Sequence, residues 1–404
     1  MGTRGLRYEV LFLVVFVALF AAMPLQYGFA GRVPDVALKI AIYAIMALGL
    51  NVVIGYAGLL DLGYVAFMST GMLITALAMS IAVVPQDQLS KILADPNGRQ
   101  YVVDAGAFQI PTGGFTIPTT ADATRPFGFD GSILVAMALA GTVCAVMGVL
   151  RGLPTLRLVG DYYAIVTLGF AEILYILYRS VAWTGGAQSL NFAGASCPTL
   201  FGARLTSSAP AFYYMVALAL ALTVFALVAI RESRLGRAFA AIRLDPIAAQ
   251  TCGIPVGRYK LVAFAVSGFI GGLGGSLFAV FNGNYSATAV NFWESILLVA
   301  ILVLGGLGSV RGALIGSVVM IGMNELLREE LPIPGWPPGT LSWWRPVQHA
   351  RFLFYGVVLV AMMRFRPAGI WPQRPGGEPW SPARQAQARS EDAPLFNLAR
   401  EARP

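Results

Sequence analysis

The sequence predicts an all-α, polytopic membrane protein with about eight to ten transmembrane helices. Of its 404 residues, 57% are hydrophobic and only 12% are charged, and the mean hydropathy is +0.70; a soluble domain has about 25% charged residues. Several runs reach the ~20 apolar residues that a helix needs to cross the hydrocarbon core, among them residues 62–84, 211–230 and 261–281. The runs are continuous rather than alternating, which favours helices over a β-barrel.

Ten hydrophobic segments follow one another along the chain. They lie near residues 9–25, 36–55, 62–84, 131–150, 161–182, 211–230, 260–283, 293–310, 312–326 and 350–364. The last three are short or interrupted by glycine, so they could be full spans, half-helices or re-entrant turns. We expect residues 1–364 to form one transmembrane domain with a polar insertion at 85–130, followed by a disordered tail at 365–404.

The distribution of lysine and arginine predicts which side of the membrane each loop faces. The loop at 231–260 has two acidic residues against six basic ones, which are Arg231, Arg234, Arg237, Arg243, Arg258 and Lys260. Cytoplasmic loops carry the excess of basic residues, so this loop is predicted to be cytoplasmic. Both termini are then cytoplasmic and the 85–130 insertion lies outside. We expect the N-terminal segment to be an uncleaved first span rather than a signal peptide.

The composition excludes several functional classes. The net charge of +8 comes from loops and the tail, without the basic helix or aromatic patch of a nucleic-acid-binding protein. With His349 as the single histidine and three widely spaced cysteines, the sequence offers no catalytic residues and no metal site. No P-loop motif occurs, so we expect this chain to bind no ATP or other cofactor itself.

Glycines recur at helical spacing in two apolar regions. In "GFIGGLGG", Gly268 pairs with Gly272 and Gly271 with Gly275. Small residues at this spacing let two membrane helices approach closely, so we interpret them as packing positions, with a backbone-lined path as the less favoured alternative. Further along, the same pattern is formed by Gly305, Gly308 and Gly312.

Polar residues inside apolar segments are candidates for a translocation path, because they are costly in lipid and mostly face protein or water. In "GDYYAIVTLGFAEI", Asp161 stands where a helix N-cap is expected, and Thr167 follows within the helix. Glu172 lies roughly 16 Å beyond Asp161, near mid-membrane and on nearly the same face. Glu172 is therefore either a structural, hydrogen-bonded carboxylate or a residue that lines the path.

The stretch "LGLNVVIGYAGLLDLGYVAFMSTG" is a second candidate for the path. Asn51, Gly55 and the neighbouring Tyr56 interrupt an apolar segment, and Asp61 stands where the second segment gives way to the third. Transporters use glycine-broken helices with polar groups to present backbone to a substrate. The alternative is a tight turn in which Asp61 caps the next helix.

The basic loop contains a short helix in "AIRLDPIAAQTCGIPVGRYK", between Arg243 and Arg258. Asp245 is an N-cap, Pro246 suits the first helical position and Gly253 is a natural C-terminal residue. A helix of two turns is not stable alone in water, so it needs a docking surface. Its small residues, Ala248 and Ala249, favour a groove in a protein partner over a lipid surface, where larger apolar anchors are expected.

Taken together, the motifs resemble the permease family of bacterial ATP-binding cassette (ABC) importers for branched-chain amino acids, on the LivM side of its LivH/LivM pair. The resemblance rests on "GYAGLLDLGYVAF", "GDYYAIVTLGFAEI", "GRAFAAIRLDPIAAQTCGIPVGRYKLVAF", "LVLGGLGSVRGALIG" and "FYGVVLVAMMRFRPAGI", which cover about residues 45–370 in the family's order. It implies the ABC importer permease architecture in the bacterial inner membrane. It also implies that the basic loop is a coupling segment that docks on an ATPase subunit.

The resemblance implies a set of partners as well. These are a second, LivH-type permease subunit, two ATPase subunits that bind ATP and magnesium, a periplasmic solute-binding protein and membrane lipid. Two departures from the family pattern stand out: Ile247 lies near the expected glutamate, and Leu59 and Asp61 replace a glutamine and a serine. Related small solutes such as urea or short amides therefore stay open as substrates. An ion-coupled carrier that uses Glu172 or Asp61 is the alternative function.

Overall fold

The computed structural model describes residues 12–24 in part, 28, 31–80, 132–156, 161–180, 190–191, 199–200, 203–205, 209–287, 291–328, 351–366 and 368–371. The 85–130 insertion, Cys197, His349 and the tail beyond residue 371 lie outside these residues. So does the continuous course of the expected first span, although many residues between 12 and 24 are helical.

Within the described ranges the chain is almost entirely helical, and the all-α fold class is confirmed. The helices are α1 (Arg32–Asn51), α2 (Val65–Ser80), α3 (Ser132–Thr155), α4 (Asp161–Ser180), α5 (Pro210–Glu232), α6 (Arg234–Leu244), α7 (Pro246–Thr251), α8 (Val256–Asn282), α9 (Phe292–Gly305), α10 (Val310–Arg328) and α11 (Arg351–Phe365). Four two-residue strands accompany them: β1 (Leu190–Asn191), β2 (Thr199–Leu200), β3 (Ala203–Arg204) and β4 (Asn284–Tyr285). The antiparallel pairs are β1 with β4 and β2 with β3.

Five stretches of the described residues are long and apolar enough to cross a membrane. They are Arg32–Tyr56, Ile133–Thr155, Tyr162–Ser180, Pro210–Glu232 and Val256–Asn282. The outward side chains on α5 are apolar, for example Leu218 and Leu222, as expected for a surface in lipid. The chain is therefore a multi-pass membrane protein.

The centre of the bundle is α8, whose glycines meet two different neighbours. A Cβ at Gly272 would lie 2.6 Å from the Ala140 carbonyl oxygen of α3, and one at Gly268 would clash with the Cys144 carbonyl. Gly271 and Gly275 instead face Phe67 and Met68 of α2. Because lipid supplies no hydrophobic force between helices, such close backbone packing is what holds α8 to both helices.

Between α1 and α2 the chain re-enters the bundle. The α-helix gives way to a π-helical turn at Val52–Tyr56, and α2 starts only at Val65. The hydroxyl of Tyr64 donates to the carbonyl of Ser267 (3.4 Å), which lies roughly 16 Å along α8 from its start. The first turn of α2 therefore begins inside the protein.

The α9–α10 pair is a helical hairpin with a short first arm. The 14 residues of α9 span about 21 Å, less than the ~30 Å hydrocarbon core. Gly305 and Gly312 pack backbone against backbone, and Gly306 and Gly308 turn the chain with φ of 118° and 85°. Thus α9 is too short to span by itself.

Some residues assigned to the disordered tail pack against this hairpin. The Ile370 amide donates to the Leu304 carbonyl and the Trp371 amide to the Gly305 carbonyl, both at 2.9 Å. These bonds satisfy carbonyls that the C-terminal end of α9 leaves unpaired. The ordered part of the protein therefore continues at least to residue 371, beyond the predicted boundary at 364.

Candidate functional site

Asp61 is buried in an ion pair with Arg151 of α3. Its other oxygen accepts a hydrogen bond from the Gly63 amide at 2.9 Å, which closes a turn two residues long rather than capping α2. The Arg151 guanidinium carbon lies 4.4 Å from the centre of the Phe67 ring and 5.8 Å from that of Phe264. A buried charge needs a partner of opposite sign, and here the chain supplies that partner itself.

Thr167 of α4 faces the same region. Its hydroxyl accepts a hydrogen bond from the Leu62 amide (3.3 Å) and donates one to the Ala164 carbonyl (2.9 Å). A Cβ at Gly63 would clash with the Thr167 carbonyl. Asp61 and Thr167 are thus brought together, on either side of a backbone segment that fits tightly against α4.

The π-helical turn that follows α1 packs against the turn between α9 and α10. The side-chain oxygen of Asn51 accepts a hydrogen bond from the Gly308 amide (2.9 Å). A Cβ at Gly55 would lie 2.6 Å from the Gly308 nitrogen, and Tyr56 is buried beside it. Three of the predicted path residues, Asn51, Gly55 and Tyr56, are therefore enclosed within the chain. Gly308, predicted to be a helix-packing position, contacts Asn51 and Gly55 from the turn between α9 and α10.

Glu172 lies apart from these residues, on the outward face of α4. Apolar side chains around it on this face are exposed as well, among them Ile165, Ile173 and Ile176, and Arg179 is exposed at the end of the helix. A Cβ at Gly169, on the same face, would meet nothing within 4 Å. Thus α4 turns Thr167 inward and Glu172 outward, and the structure separates two residues that the sequence grouped in one path.

A second intramembrane carboxylate, Glu294, was missed by the sequence analysis. It lies in the first turn of α9 and accepts a hydrogen bond from the Tyr43 hydroxyl of α1 (2.8 Å). Tyr43 lies about 12 Å along α1 from Asn51, so Glu294 lies near the middle of the length of α1, where it is half-buried. Asn291, whose side chain caps α9 by accepting from the Trp293 amide (3.1 Å), was the sequence signal that a helix begins here.

The short helix of the basic loop forms as its sequence predicts. The Asp245 carboxylate accepts hydrogen bonds from the Ile247 and Ala248 amides (2.8 and 3.1 Å), and Pro246 opens α7. Gly253 ends the turn with φ of 81°. These caps fix α7 directly behind α6.

The orientation of α7 differs from that expected for Ala249. This residue is 4% exposed and packs against Ile242 and Val256, so it holds α7 to its own chain and offers no contact to a partner. The outward apolar side chains are Leu244 (88% exposed) and Ile247 (75%), and Ala248 is also exposed. Leu244 was not identified from the sequence, because the last residue of a short helix carries no periodicity signal.

The two arginines of the predicted coupling segment differ in their surroundings. Arg258 is exposed in the first turn of α8. Arg243 is exposed as well, but its guanidinium donates to the carbonyl of Gly55 in the π-helical turn. Arg243 therefore connects the coupling segment to the π-helical turn at the end of α1.

Among the described residues, no group of three histidine, cysteine, aspartate or glutamate side chains is arranged to hold a metal ion. Of the cysteines in the described part of the chain, Cys144 is buried and Cys252 is exposed.

The described residues form a helical bundle with re-entrant segments and a capped, exposed helix at one end, as expected of a membrane transport permease. The chain belongs to the family described as branched-chain amino acid transport system / permease component, whose model matches residues 33–363. The family resemblance that the sequence motifs indicate is thereby confirmed.

Individual relatives agree with the family assignment. The chain is 31% identical to the high-affinity branched-chain amino acid transport system permease protein LivM of Salmonella typhimurium, over 95% of this chain and 79% of the relative. It is also 31% identical to LivM of Escherichia coli, over 90% and 75%. The LivH protein of Escherichia coli is 33% identical over 31% of this chain and 40% of its own length. A search of solved structures gives no match.

Proposed function

We propose that this chain is a permease subunit of an ABC importer that carries branched-chain amino acids across the bacterial inner membrane. The observation that carries the proposal is the α6–α7 end of the bundle, where Leu244 at the end of α6 and Ile247 in the capped helix α7 are exposed next to basic residues. ATP and magnesium would be bound by two partner ATPase subunits. A soluble binding protein would deliver the amino acid from the periplasmic side.

In this proposal α7 and the end of α6 dock in a groove of the ATPase. Exposed large apolar side chains next to water are unfavourable unless a partner covers them. The most exposed large apolar side chains of α6 and α7, Leu244 and Ile247, are three residues apart around Asp245, so one groove can receive both. Apolar anchors at the centre of an interface commonly contribute most of its binding energy.

The outward face of α4 is proposed as the half of the path that this chain contributes. A carboxylate at bilayer depth is costly against lipid and normally faces protein or water. We therefore expect Glu172 to face the second permease subunit. The partial similarity of this chain to LivH supports a LivH-type protein as that subunit. The open surface at Gly169 gives room for a helix of that subunit to approach.

The alternative, an ion-coupled carrier, would need an intramembrane carboxylate free to bind an ion. Asp61 is already paired with Arg151 and Glu294 accepts a hydrogen bond from Tyr43, so of these three carboxylates Glu172 is the candidate. A carrier also gives no reason for the exposed α6–α7 end. The membership in an ABC permease family favours the importer.

The proposal is tested by reconstitution in proteoliposomes with the ATPase subunits, the second permease and the binding protein. Uptake of radiolabelled leucine is expected to require ATP and all of these partners. Leucine uptake that runs on a proton or sodium gradient with no ATPase present would overturn the proposal. Competition by isoleucine, valine, urea and acetamide defines the solute class.

A further inference from the structure

The π-helical turn of α1 offers a backbone carbonyl to the coupling segment. Its amides donate to carbonyls five or six positions earlier in the chain: the Ala57 amide to the Val52 carbonyl (3.1 Å) and the Leu59 amide to the Val53 carbonyl (3.0 Å). The carbonyl of Gly55 accepts from Arg243. A hydrogen bond from a charged donor is stronger than one between neutral groups.

Arg243 sits in the joint between α6 and α7. The Asp245 amide donates to the Ala241 carbonyl (3.1 Å), while the Asp245 side chain caps α7. Beneath the joint, Ile242 packs with Ala249. Because these contacts lock the two helices together, a displacement of α7 also displaces Arg243.

The stem of Arg243 lies against the chain that follows the π-helical turn. A Cβ on Gly58 would be 2.9 Å from the Arg243 Cγ, and Gly58 has φ of 73°. Only glycine adopts that conformation without strain and also leaves room for the arginine. The contact thus has two parts, one to the Gly55 carbonyl and one to Gly58.

On its other side, the π-helical turn contacts the α9–α10 hairpin. The Asn51 side chain accepts from the Gly308 amide, and Gly55 packs on the Gly308 backbone. Helix α9 in turn carries Glu294, bonded to Tyr43. The turn at Val52–Tyr56 therefore lies between the coupling segment and a helix that reaches the interior of the bundle.

We propose that Arg243 is a positioning residue that transmits the movement of the docked α7 helix, through the Gly55 carbonyl, to the π-helical turn and the α9–α10 hairpin. The inference rests on the proposed function, since it assumes an ATPase that moves α7. A chain of packed, hydrogen-bonded groups is a physical route for coupling between distant elements. This role of Arg243 differs from that of a docking anchor, because its guanidinium donates a hydrogen bond to Gly55 of its own chain.

The test compares Arg243→Met with Arg243→Lys in the reconstituted complex, and uses Arg234→Met as the control. Methionine keeps the stem and removes the donors; lysine restores one charged donor. Arg234 is an exposed arginine on the same helix. The readouts are co-purification of the ATPase, ATP hydrolysis, and radiolabelled leucine taken up per ATP hydrolysed.

We expect Arg243→Met to retain the ATPase and its hydrolysis but to lower leucine uptake per ATP about tenfold, as for the loss of one hydrogen bond from a charged group. Arg243→Lys should recover most of that ratio, and Arg234→Met should leave it unchanged. If Arg243→Met is not recovered as a folded, membrane-inserted subunit, Arg243→Gln takes its place and is judged by the same readouts.

An unchanged ratio in Arg243→Met would overturn the inference, as would loss of ATPase binding, which would make Arg243 a docking residue. A failure of the proposed function is distinguishable, because then the wild-type complex itself shows no ATP-driven uptake of leucine.

Discussion

Asp61 and Arg151, 90 positions apart in the sequence, meet as a fully buried ion pair at the point where the chain re-enters the bundle. The aromatic rings of Phe67 and Phe264 flank the guanidinium, so water cannot replace either partner. The segment between α1 and α2 is held in place by this pair.

We predict that Asp61→Asn destabilises the protein by about 3–5 kcal/mol, because it leaves the Arg151 charge buried without a counterion. The double variant Asp61→Asn/Arg151→Met should lose less, since neither charge remains. Thermal unfolding of the purified subunit in detergent measures both. Glu232→Gln, which affects the more exposed pair with Arg231, is the control and should be within about 0.5 kcal/mol of wild type. Equal losses in the single and double variants would contradict the role of the pair.

For Glu172→Gln we predict a loss of roughly tenfold in leucine uptake with assembly unchanged, because a charge on the path would contribute 1–3 kcal/mol to the barrier for the solute. Uptake kinetics in proteoliposomes measure it. Glu232→Gln, an exposed carboxylate at the end of α5, serves again as the control. Wild-type kinetics in Glu172→Gln would instead favour a structural carboxylate.

The double variant Leu244→Ala/Ile247→Ala should lower co-purification of the ATPase at least tenfold, because each truncated anchor costs about 1–2 kcal/mol of binding. The matched control is Leu218→Ala/Leu222→Ala, which shortens two exposed apolar side chains on α5 instead. Pull-down of the tagged permease measures the ratio of subunits. Equal recovery of the ATPase with both double variants would exclude the α6–α7 surface as the docking site.

We expect Gly272→Ala to destabilise the bundle by about 1–3 kcal/mol, because the new methyl group overpacks the α3–α8 contact. Gly322→Ala is the control: it also lies in a helix, and a Cβ there meets nothing within 4 Å. Replacing that glycine should be neutral or slightly stabilising. Thermal unfolding in detergent compares the two, and equal behaviour would argue against close packing at Gly272.

The orientation predicted from the basic loop can be tested at Cys252, which is exposed. In a Cys197→Ser background, a membrane-impermeant maleimide should label Cys252 in inside-out vesicles and not in right-side-out ones. Cys144 is buried and should stay unlabelled until the protein is denatured. Labelling of right-side-out vesicles would reverse the assigned topology.

The features that sequence analysis predicted depend on local patterns. The Asp245-Pro246 start and Gly253 stop of α7 lie within a few residues, so capping rules identify them. The polytopic helical class is likewise visible in composition.

The features that it missed depend on contacts between distant segments. Nothing near Asp61 identifies Arg151 as its partner, and nothing near Asn51 points to Gly308. The sequence could not decide which way Ala249 faces either, because a helix of two turns is too short for a periodic pattern to emerge. Glu294 was overlooked because an acidic residue in a first helical turn is ordinary.

The re-entrant segment also has a consequence for how the protein is made. Asp61 emerges from the ribosome well before Arg151, and Asn51 emerges 257 positions before Gly308. A nascent chain that inserts its helices one by one therefore holds these polar groups in the membrane before their partners exist, where unsatisfied groups are costly. The segment between α1 and α2 can make all of these contacts only after Gly308, in the turn between α9 and α10, has been synthesised, so a late part of the chain completes the packing of an early one.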